Sequence, residues 1–473
     1  MINRRGFIKG ALAAAVMPEL IVRKGYAAEK STHNELAVPP ILSKKTSDGT
    51  VNFDISVQRG HTEFMNGTKV ESLGYNGSLL GPTVRVKRGD KVRFNITNNL
   101  SEHTTVHWHG LLVPGNMDGG PHQVIMPGKT WNPEFTIDQP AATVWYHPHG
   151  AGNTASQVYK GLGGLFIIDD ENSAKLEIPS QYGVDDVPLV IQDRLFTDDG
   201  QVHYLSSMRD IMFGMMGNRI IVNGVLEPAF EAPKGKVRFR ILNGSNARTY
   251  NLYFSDGSQF DIIASDGGFL PAPVKKSRIR VSPGERYEIV ADFSSATPGT
   301  EIYLADGGYN FMRITVSSRK GFTGRIPAKP AEYEPVLIKN TENRRGFYLN
   351  GMGHMVNING KRMDMNRIDE VMKRGTSELW EVTSRMGMMM GGGAGRMVHN
   401  FHAHGTLFRV ISRNGMTPPP EEQGWKDTVA LPEGDVVRLM ASFPYNGIYM
   451  YHCHVLEHED NGMMGQYLVK ENI

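Results

Sequence analysis

The chain has 473 residues, of which 40% are hydrophobic and 21% charged, and its formal net charge is +2. These values indicate a soluble globular protein of roughly three domains, without a basic patch that would favour nucleic acid. The 53 glycines and 26 prolines predict many turns, and therefore β-structure rather than helical bundles. Outside the N-terminus, no apolar run is long enough to span a membrane. Cys453 is the only cysteine, which excludes an intrachain disulfide.

Residues 1–28 have the features of an export signal. Residues 3–9 (NRRGFIK) precede a weakly apolar run that ends at Met17, and the small residues Ala27 and Ala28 follow. The segment resembles a twin-arginine signal cleaved near one of these alanines, and an ordinary secretory signal is the alternative. Under either interpretation the chain leaves a bacterial cytoplasm, and we expect a periplasmic protein.

Alternating apolar residues recur at three places along the rest of the chain. Residues 81–97 predict two strands around a Gly-Asp turn, and similar patterns return at 230–241 and 373–382. The spacing of about 140 residues predicts three similar domains rather than a solenoid, whose repeats are much shorter. Strand-rich repeats of this kind predict a sandwich or a Greek-key barrel in each domain. Polar and proline-containing segments near 170 and 325–335 predict the domain ranges, which are 29–170, 171–330 and 331–473.

Ten of the sixteen histidines fall into four clusters. Two clusters are in the first predicted domain and two in the third: His107 and His109; His147 and His149; His399, His402 and His404; His452, His454 and His458. In an H-x-H pair on a strand both imidazoles lie on one face, so two such strands that face each other can enclose a metal ion. Ten imidazoles require three or more metal ions, whereas a structural zinc site closes with four ligands. The second predicted domain has no such cluster, and we interpret it as a spacer.

Cys453 lies between His452 and His454, with His458 and Met463 a few residues further on. A thiolate, imidazoles and a thioether at this spacing suit a copper ion that cycles between Cu(I) and Cu(II). If the strand predicted before Cys453 continues to it, the cysteine points to one face and both flanking histidines to the other. A copper ion can then lie on one side of the strand and a different metal centre on the other. A buried cysteine beside chance histidines is the alternative.

Four motifs carry a resemblance to a known family. They are HWHG at residues 107–110, WYHPHG at 145–150, HNFHAHGT at 399–406 and HCHVLEHEDNGMM at 452–464. Together they resemble the signature motifs of a three-domain multicopper oxidase, and they are most similar to those of bacterial periplasmic cuprous oxidases and bacterial laccases. The resemblance implies an all-β protein made of three consecutive cupredoxin-like Greek-key β-barrel domains.

The resemblance also implies four copper ions, one of type 1, one of type 2 and two of type 3. The type 2 and type 3 ions form a trinuclear cluster at the interface of the first and third domains. The implied ligands are, for type 1, His399, Cys453, His458 and axial Met463; for type 2, His107 and His402; and for type 3, His109, His147 and His454 on one ion and His149, His404 and His452 on the other.

In this family a substrate gives single electrons to the type 1 copper, and the trinuclear cluster reduces O2 to water. The resemblance implies that each electron passes through Cys453 to His452 and His454. Oxygen reduction consumes protons, and two acidic residues match family positions. We hypothesise that Asp118 assists at the cluster and that Glu459 relays protons. A turn residue and a solvated loop charge are the respective alternatives.

Methionines near the implied type 1 ligands bear on the identity of the electron donor. A Gly-rich loop runs directly into His399, and its soft thioethers suit Cu(I): Met386, Met388, Met389, Met390 and Met397. Adaptable packing is the alternative for this run, and also for a second group at residues 208–216 with helix-like spacing. Gly395 departs from the family pattern, in which a carboxylate for the substrate copper is expected.

We therefore expect a monomeric oxidase that couples oxidation of Cu(I), and more broadly of small phenols, to O2 reduction in copper tolerance. The alternatives are a laccase-type phenol oxidase without a metal-oxidase role and a copper-sequestering periplasmic protein. A copper-free scaffold, as in the cell-division members of the superfamily, would lack ligands, and no ligand position of the family pattern is missing here. We expect neither a nucleic-acid partner nor a membrane span.

Overall fold

The structure is a computed structural model that describes residues 34–65, 67–332, 344–385 and 398–472. Strands dominate the described residues and form six sheets, two in each third of the chain. This arrangement confirms the predicted all-β fold with three domains. No helix in the described part of the chain is long and apolar enough to cross a membrane. The predicted export signal and the methionine run at 386–397 lie outside the described residues.

The first domain contains two sheets that share one core. Its elements are β1 (Lys45–Ser47), β2 (Thr50–Met65), β3 (Thr68–Tyr75), β4 (Val84–Lys87), β5 (Lys91–Asn98), β6 (His107–His109), β7 (Thr130–Trp131), β8 (Glu134–Thr136), β9 (Ala142–His147), α1 (Thr154–Lys160) and β10 (Gly164–Asp169). Strands β4, β6, β9 and β10 form one sheet, and the other strands form its partner.

The second domain has the same plan with a larger sheet. Its elements are β11 (Asp186–Phe196), β12 (Val202–His203), α2 (Met208–Phe213), β13 (Arg219–Val222), β14 (Val225–Leu226), β15 (Ala229–Lys234), β16 (Lys236–Asn243), β17 (Tyr250–Phe254), β18 (Phe260–Ser265), β19 (Gly268–Lys276), β20 (Ile279–Val281), β21 (Arg286–Asp292), β22 (Glu301–Asp306) and β23 (Tyr309–Lys320). Strands β15, β17, β20, β22 and β23 form the smaller sheet.

The third domain carries most of the candidate site. Its elements are β24 (Arg344–Asn350), β25 (Asn357–Ile358), β26 (Glu370–Lys373), β27 (Ser377–Arg385), β28 (Val398–Ala403), β29 (Phe408–Arg413), β30 (Trp425–Lys426), β31 (Thr428–Pro432), β32 (Val436–Ser442), β33 (Gly447–His452), α3 (Leu456–Asp460) and β34 (Met464–Lys470). Strands β26, β28, β31, β33 and β34 form one sheet. The domain boundaries near residues 170 and 330 stay predictions.

Alternation along the strands explains why the sheets pack in pairs. In β5, Val92, Phe94 and Ile96 are buried, whereas Lys91 and Arg93 are exposed. The buried face of this sheet meets that of its partner in one hydrophobic core. Each apolar side chain removed from water contributes roughly 1.5–3 kcal/mol. Each of the three domains has a large core of its own.

The three repeated sequence patterns fold in the same way in all three domains. The two strands predicted around each turn are present as β4 and β5, β15 and β16, and β26 and β27. They do not pair with each other, because the first joins one sheet and the second joins the facing sheet. In each domain the strand before the turn pairs in parallel with the last strand of the domain, which is β10, β23 or β34. The strand after the turn pairs in parallel with β2, β11 or β24, respectively. The repetition identifies three copies of one fold.

Two antiparallel strand pairs position the histidines. In the first domain β6 pairs with β9, and His107 lies opposite His147. In the third domain β28 pairs with β33, and His402 lies opposite His452. The idea that each H-x-H pair lies on a strand is correct for β6 but wrong for the other three pairs, whose second histidine follows the strand end. After β9 the reason is Pro148, which has no N–H to continue the ladder.

Candidate metal centre

One group of donors lies inside the third domain. His399 is in β28, Cys453 directly follows β33, and His458 is in α3. The Cys453 Sγ atom lies 3.5 Å from His399 Nδ1 and 4.0 Å from His458 Nδ1. All three side chains are buried, and Met463 is buried in the same core. The residues predicted for type 1 copper thus bring one sulfur and two imidazole nitrogens close enough to share an ion.

The position of Cys453 separates two candidate sites. Strand β33 ends at His452, one residue earlier than the argument from alternating faces assumes. Cys453 nevertheless turns toward His399, while His452 and His454 belong to other donor groups. The cysteine therefore lies between two groups of candidate donors, and the assignment of copper to these groups stays a prediction.

Burial has a direct consequence for the Cys453 thiol. It raises the pKa of Cys453 to about 12, so the thiolate does not form at neutral pH without a cation beside it. A bound copper ion supplies this positive charge, since metal binding to cysteine releases the thiol proton. The chemistry of the donors therefore fits copper in this group.

The other predicted donors meet between the first and third domains. Three sets of buried imidazoles have nitrogen atoms within 4.8 Å of one another. Each set combines both domains: His107, His109 and His402; His109, His147 and His454; His149, His404 and His452. The last two sets are the triplets predicted for the two type 3 ions, and the first contains the pair predicted for type 2.

Several imidazole nitrogens in these interdomain sets have no hydrogen-bond partner. Within the described residues, the buried and unpaired nitrogens are His107 Nε2, His149 Nδ1, His402 Nε2 and both ring nitrogens of His454. Buried polar atoms are normally hydrogen-bonded, so this many exceptions in one place need an explanation. Metal ions bound to the Nε2 atoms of His107 and His402 and to one ring nitrogen of His454 account for three of them, because each neutral imidazole offers one lone pair and imidazole is a good copper ligand.

Burial also keeps the clustered imidazoles neutral. It lowers the pKa of His399 to about 3 and that of His458 to about 4. In the interdomain sets burial lowers the pKa of six histidines well below the ordinary value: His109, His147, His149, His404, His452 and His454. At neutral pH their lone pairs are available to a metal ion, as metal binding requires.

Asp118 lies beside the interdomain sets. It follows the 3₁₀ turn Gly115–Met117 and is buried. Its Oδ2 accepts a hydrogen bond from His404 Nδ1 at 2.8 Å, and its backbone oxygen accepts one from His107 Nδ1 at 3.0 Å. Both bonds fix the imidazole tautomer and leave Nε2 for a metal ion. Asp118 is therefore more than a turn residue, and its assistance in O2 reduction stays a prediction.

Glu459 is also buried, which excludes the alternative of a solvated loop charge. Its carboxylate oxygens lie 3.1 Å from His452 Nδ1 and 3.5 Å from His149 Nε2. Burial raises the pKa of Glu459, so this carboxyl group retains a proton more readily than one in water. The position suits a proton relay, which stays a prediction.

Sequence reasoning missed Asp427, which lies between β30 and β31. Its Oδ1 accepts a hydrogen bond from His109 Nε2 at 3.1 Å, and its backbone oxygen accepts one from His402 Nδ1 at 2.8 Å. Asp427 and its neighbour Lys426 are both fully buried just before the apolar strand β31. This contrast between charged residues and the following strand is the signal in the sequence that could have marked the site.

The second methionine group lies in and directly after α2, and its members differ in exposure to solvent. Met215 is buried, whereas Met208 is 70% exposed. The Met212 backbone oxygen accepts a hydrogen bond from His458 Nε2 at 3.2 Å. Helix α2 of the second domain therefore covers the edge of His458 that faces away from Cys453. Sequence reasoning missed this contact because a backbone oxygen makes it.

Comparison with known protein families agrees with this site. Three family models described as multicopper oxidase match residues 56–173, 185–318 and 329–472. The chain belongs to the multicopper oxidase family, and this membership implies an oxidoreductase that uses copper ions, O2 and a reductant. Membership confirms the resemblance and the predicted class of enzyme.

Individual relatives have more specific descriptions. The chain is 42% identical to the multicopper oxidase mco of Staphylococcus haemolyticus over 92% of both chains. It is 36% identical to the cell division protein FtsP of Escherichia coli over 99% of both chains.

Solved structures of similar chains are oxidases. A laccase from Pediococcus acidilactici has a TM-score of 0.89 at 36% identity, over 94% of this chain and 95% of its own. The laccase-like multicopper oxidase CueO from Ochrobactrum sp. has a TM-score of 0.84 at 38% identity, over 92% of this chain and 100% of its own. A multicopper oxidase from Campylobacter jejuni, described as a metallo-oxidase, has a TM-score of 0.81 at 27% identity, over 93% of this chain and 96% of its own.

Proposed function

We propose that this chain is a periplasmic multicopper oxidase that oxidises Cu(I) with O2 as electron acceptor and so contributes to copper tolerance. The observation that carries the proposal is the complete, buried donor set, in which several imidazole nitrogens have no other partner among the described residues. We assign four copper ions to the ligand sets given above, with type 1 in the third domain. Copper bound there would supply the one-electron chemistry that couples a reductant to O2.

Residues of the chain orient the proposed copper ligands and provide groups for proton transfer. Cys453 is joined through the backbone to His452 and His454, so a short covalent connection links the two proposed copper sites. Asp118 holds His404 in one tautomer through the 2.8 Å hydrogen bond to its Nδ1. Glu459 places an ionisable carboxyl group in a buried position beside the interdomain imidazoles. These roles explain why both acids lie inside the protein, where an unneeded carboxyl group is costly.

The surroundings of His458 support a small cation as the reductant. Helix α2 covers this imidazole and packs against the 3₁₀ turn Gly353–Met355. Both segments present sulfur to solvent, since Met208 is 70% and Met355 is 69% exposed. Exposed soft sulfur on these two segments suits Cu(I), and the covered edge of His458 leaves less room for an aromatic ring. The run at 386–397 precedes His399 in the sequence and would add further thioethers.

A laccase-type phenol oxidase is the second candidate, and the two solved structures described as laccase or laccase-like favour it. The similarity to FtsP raises a role in cell division without catalysis. The complete donor set argues against that role, because a scaffold has no need of buried, unpaired imidazoles. Copper sequestration is the remaining alternative, and it predicts bound copper without oxygen uptake.

Oxygen uptake by copper-loaded protein tests the proposal, with Cu(I) and a dimethoxyphenol offered separately at matched concentrations. We expect a higher kcat/KM for Cu(I), and loss of this advantage when the methionines of the run are changed to leucine: Met386, Met388, Met389, Met390 and Met397. Leucine at the exposed Met126 and Met416 is the matched control and should leave both activities unchanged. Phenol turnover that is faster than Cu(I) turnover, and that does not change when these methionines are replaced, would support the laccase-type alternative.

A further inference from the structure

Arg286 is a fully buried arginine where the three domains meet. It begins β21 of the second domain. Its Nη1 and Nη2 atoms donate to the two carboxylate oxygens of Asp427 in the third domain, at 2.7 and 2.5 Å. Its Nε atom donates to the backbone oxygen of Thr143 in the first domain at 3.2 Å. The backbone oxygens of Gly284 and Asp266 accept further bonds, each at 3.0 Å, so the guanidinium is held in one orientation.

Asp427 connects Arg286 to the proposed copper ligand His109. Its Oδ1 accepts a hydrogen bond from His109 Nε2 at 3.1 Å. Thr428 Oγ1 donates to the same Oδ1 at 2.8 Å and lies 3.1 Å from the same histidine nitrogen. A carboxylate can only accept, so it keeps the His109 proton on Nε2 and leaves the Nδ1 lone pair for a metal ion. That Nδ1 atom lies 3.4 Å from His147 Nε2, inside the donor set.

The turn before Arg286 contacts the site at two more points. Asn400 donates to the Pro283 backbone oxygen at 2.7 Å, and its Oδ1 accepts a hydrogen bond from the His454 backbone N–H at 2.6 Å. Gly284 has a φ of +82°, and a Cβ atom there would lie 3.0 Å from the His454 imidazole. Among the described residues the second domain contributes no donor to the sets, yet it forms a wall of the site.

We propose that Arg286 is a positioning residue of the trinuclear copper site, because its paired hydrogen bonds to Asp427 fix the acceptor that orients His109. The inference rests on the proposed assignment of His109 as a copper ligand. A buried carboxylate without its cation is costly, so loss of the guanidinium displaces Asp427 from His109. Lysine keeps the charge but has no planar fork, and it cannot hold both carboxylate oxygens.

A second buried ion pair in the same sheet provides a matched control. Arg240 in β16 donates to both carboxylate oxygens of Asp186 at 2.7 and 2.9 Å, and it is buried. Its other partners are Glu288 and Thr143, and none of the three is a proposed copper ligand. Arg240→Lys therefore weakens a buried bidentate pair, as Arg286→Lys does, but it leaves the contacts of Asp427 with Arg286 and His109 in place.

The experiment compares copper-loaded wild type with Arg286→Lys, Asp427→Asn and Arg240→Lys. Copper per chain, the type 2 EPR spectrum and the near-ultraviolet absorption of the type 3 pair are recorded, with the blue type 1 absorption as internal reference. In Arg286→Lys we expect about a tenfold or larger loss of apparent copper affinity at the trinuclear site. The type 1 absorption should stay unchanged, and Arg240→Lys should give wild-type signals. If Arg286→Lys does not fold, Asp427→Asn tests the same contact with a side chain of the same shape and should show the same loss.

The outcomes separate this inference from the proposed function. Wild-type copper content and EPR spectra in both Arg286→Lys and Asp427→Asn would overturn the positioning role and leave the proposed function intact. An equal loss in Arg240→Lys would reveal general weakening of the fold and would also overturn that role. A wild-type protein that takes up no copper would overturn the proposed function, and the inference with it.

Discussion

The Met212 backbone oxygen and the His458 Nε2 atom lie 3.2 Å apart, so a segment of the second domain closes the outward edge of a proposed type 1 ligand. Met212 is in α2, whose N-terminus is fixed by a capping box. At the other end, the Glu457 carboxylate accepts a hydrogen bond from the Met215 N–H at 2.9 Å. Glu457 directly precedes His458, so the segment that follows α2 is fixed next to this imidazole.

Replacing residues 208–213 by a short Gly-Ser linker should raise kcat/KM for a dimethoxyphenol by about tenfold, a change of roughly 1.4 kcal/mol in the barrier. The reason is that the uncovered edge of His458 would admit an aromatic ring. Steady-state kinetics with the phenol and with Cu(I) measure the effect. Arg209→Lys, at an exposed position of α2, keeps the helix in place and is the control. Unchanged phenol kinetics in the linker variant would contradict a role of α2 in limiting access.

Asp118→Asn should lower kcat for oxygen uptake by about 10- to 100-fold. A neutral amide oxygen accepts more weakly from His404 Nδ1 than the carboxylate does, so the imidazole loses basicity and a fixed orientation. Oxygen uptake and copper content of the same preparation check the prediction. Asp138→Asn, at an exposed aspartate of the first domain, is the control. Full copper loading with unchanged oxygen uptake would refute a role for Asp118 in the reaction.

Short-range patterns made the donor groups predictable from the sequence. His452, Cys453 and His454 are consecutive, and alternation along a strand predicted that the sulfur points away from the two imidazoles, although β33 ends at His452. The partners of these residues come from distant parts of the chain. His149 Nε2 and His452 Nε2 lie 3.0 Å apart although 303 positions separate the two residues. Only the resemblance to a family assigned these two histidines to the same metal ion, because the spacing of residues does not predict which strands lie next to each other.

The missed contacts share a different cause. Arg286 and Asp427 are 141 positions apart, and each taken alone is an ordinary charged residue beside a strand. Their burial depends on the packing of three domains, which alternation along single strands does not encode. The same limit applies to the turn between β4 and β5, where the pattern predicted two strands but not that they enter different sheets.

Glu459→Gln should lower kcat by about a hundredfold, the usual contribution of a positioned proton donor, with little change in KM for the reductant. Glutamine has nearly the same shape but no ionisable proton, and Glu459 lies beside His149 and His452 rather than at the type 1 group. Steady-state kinetics and copper content check this. The exposed Glu471 changed to glutamine is the control. A large rise in KM with unchanged kcat would argue against proton transfer by Glu459.

Removal of copper should make the stability of the protein strongly dependent on pH. Burial lowers the pKa of eight donor histidines in the folded protein, to about 3 for His399 and about 4 for His458. Below about pH 6.5 the unfolded chain therefore binds more protons than the folded chain. The free energy of unfolding of the copper-free protein therefore falls as pH decreases through this window.

Urea unfolding of the copper-free protein between about pH 7.5 and pH 5 measures this dependence. The double variant His399→Gln, His458→Gln lacks two of the eight histidines. The change of its free energy of unfolding with pH should therefore be smaller than that of wild type by about a quarter. The exposed His61 changed to glutamine keeps all eight buried imidazoles and should leave the slope as in wild type. If the double variant had the wild-type slope, other groups would have to take up the protons, and burial of these imidazoles would not be the cause.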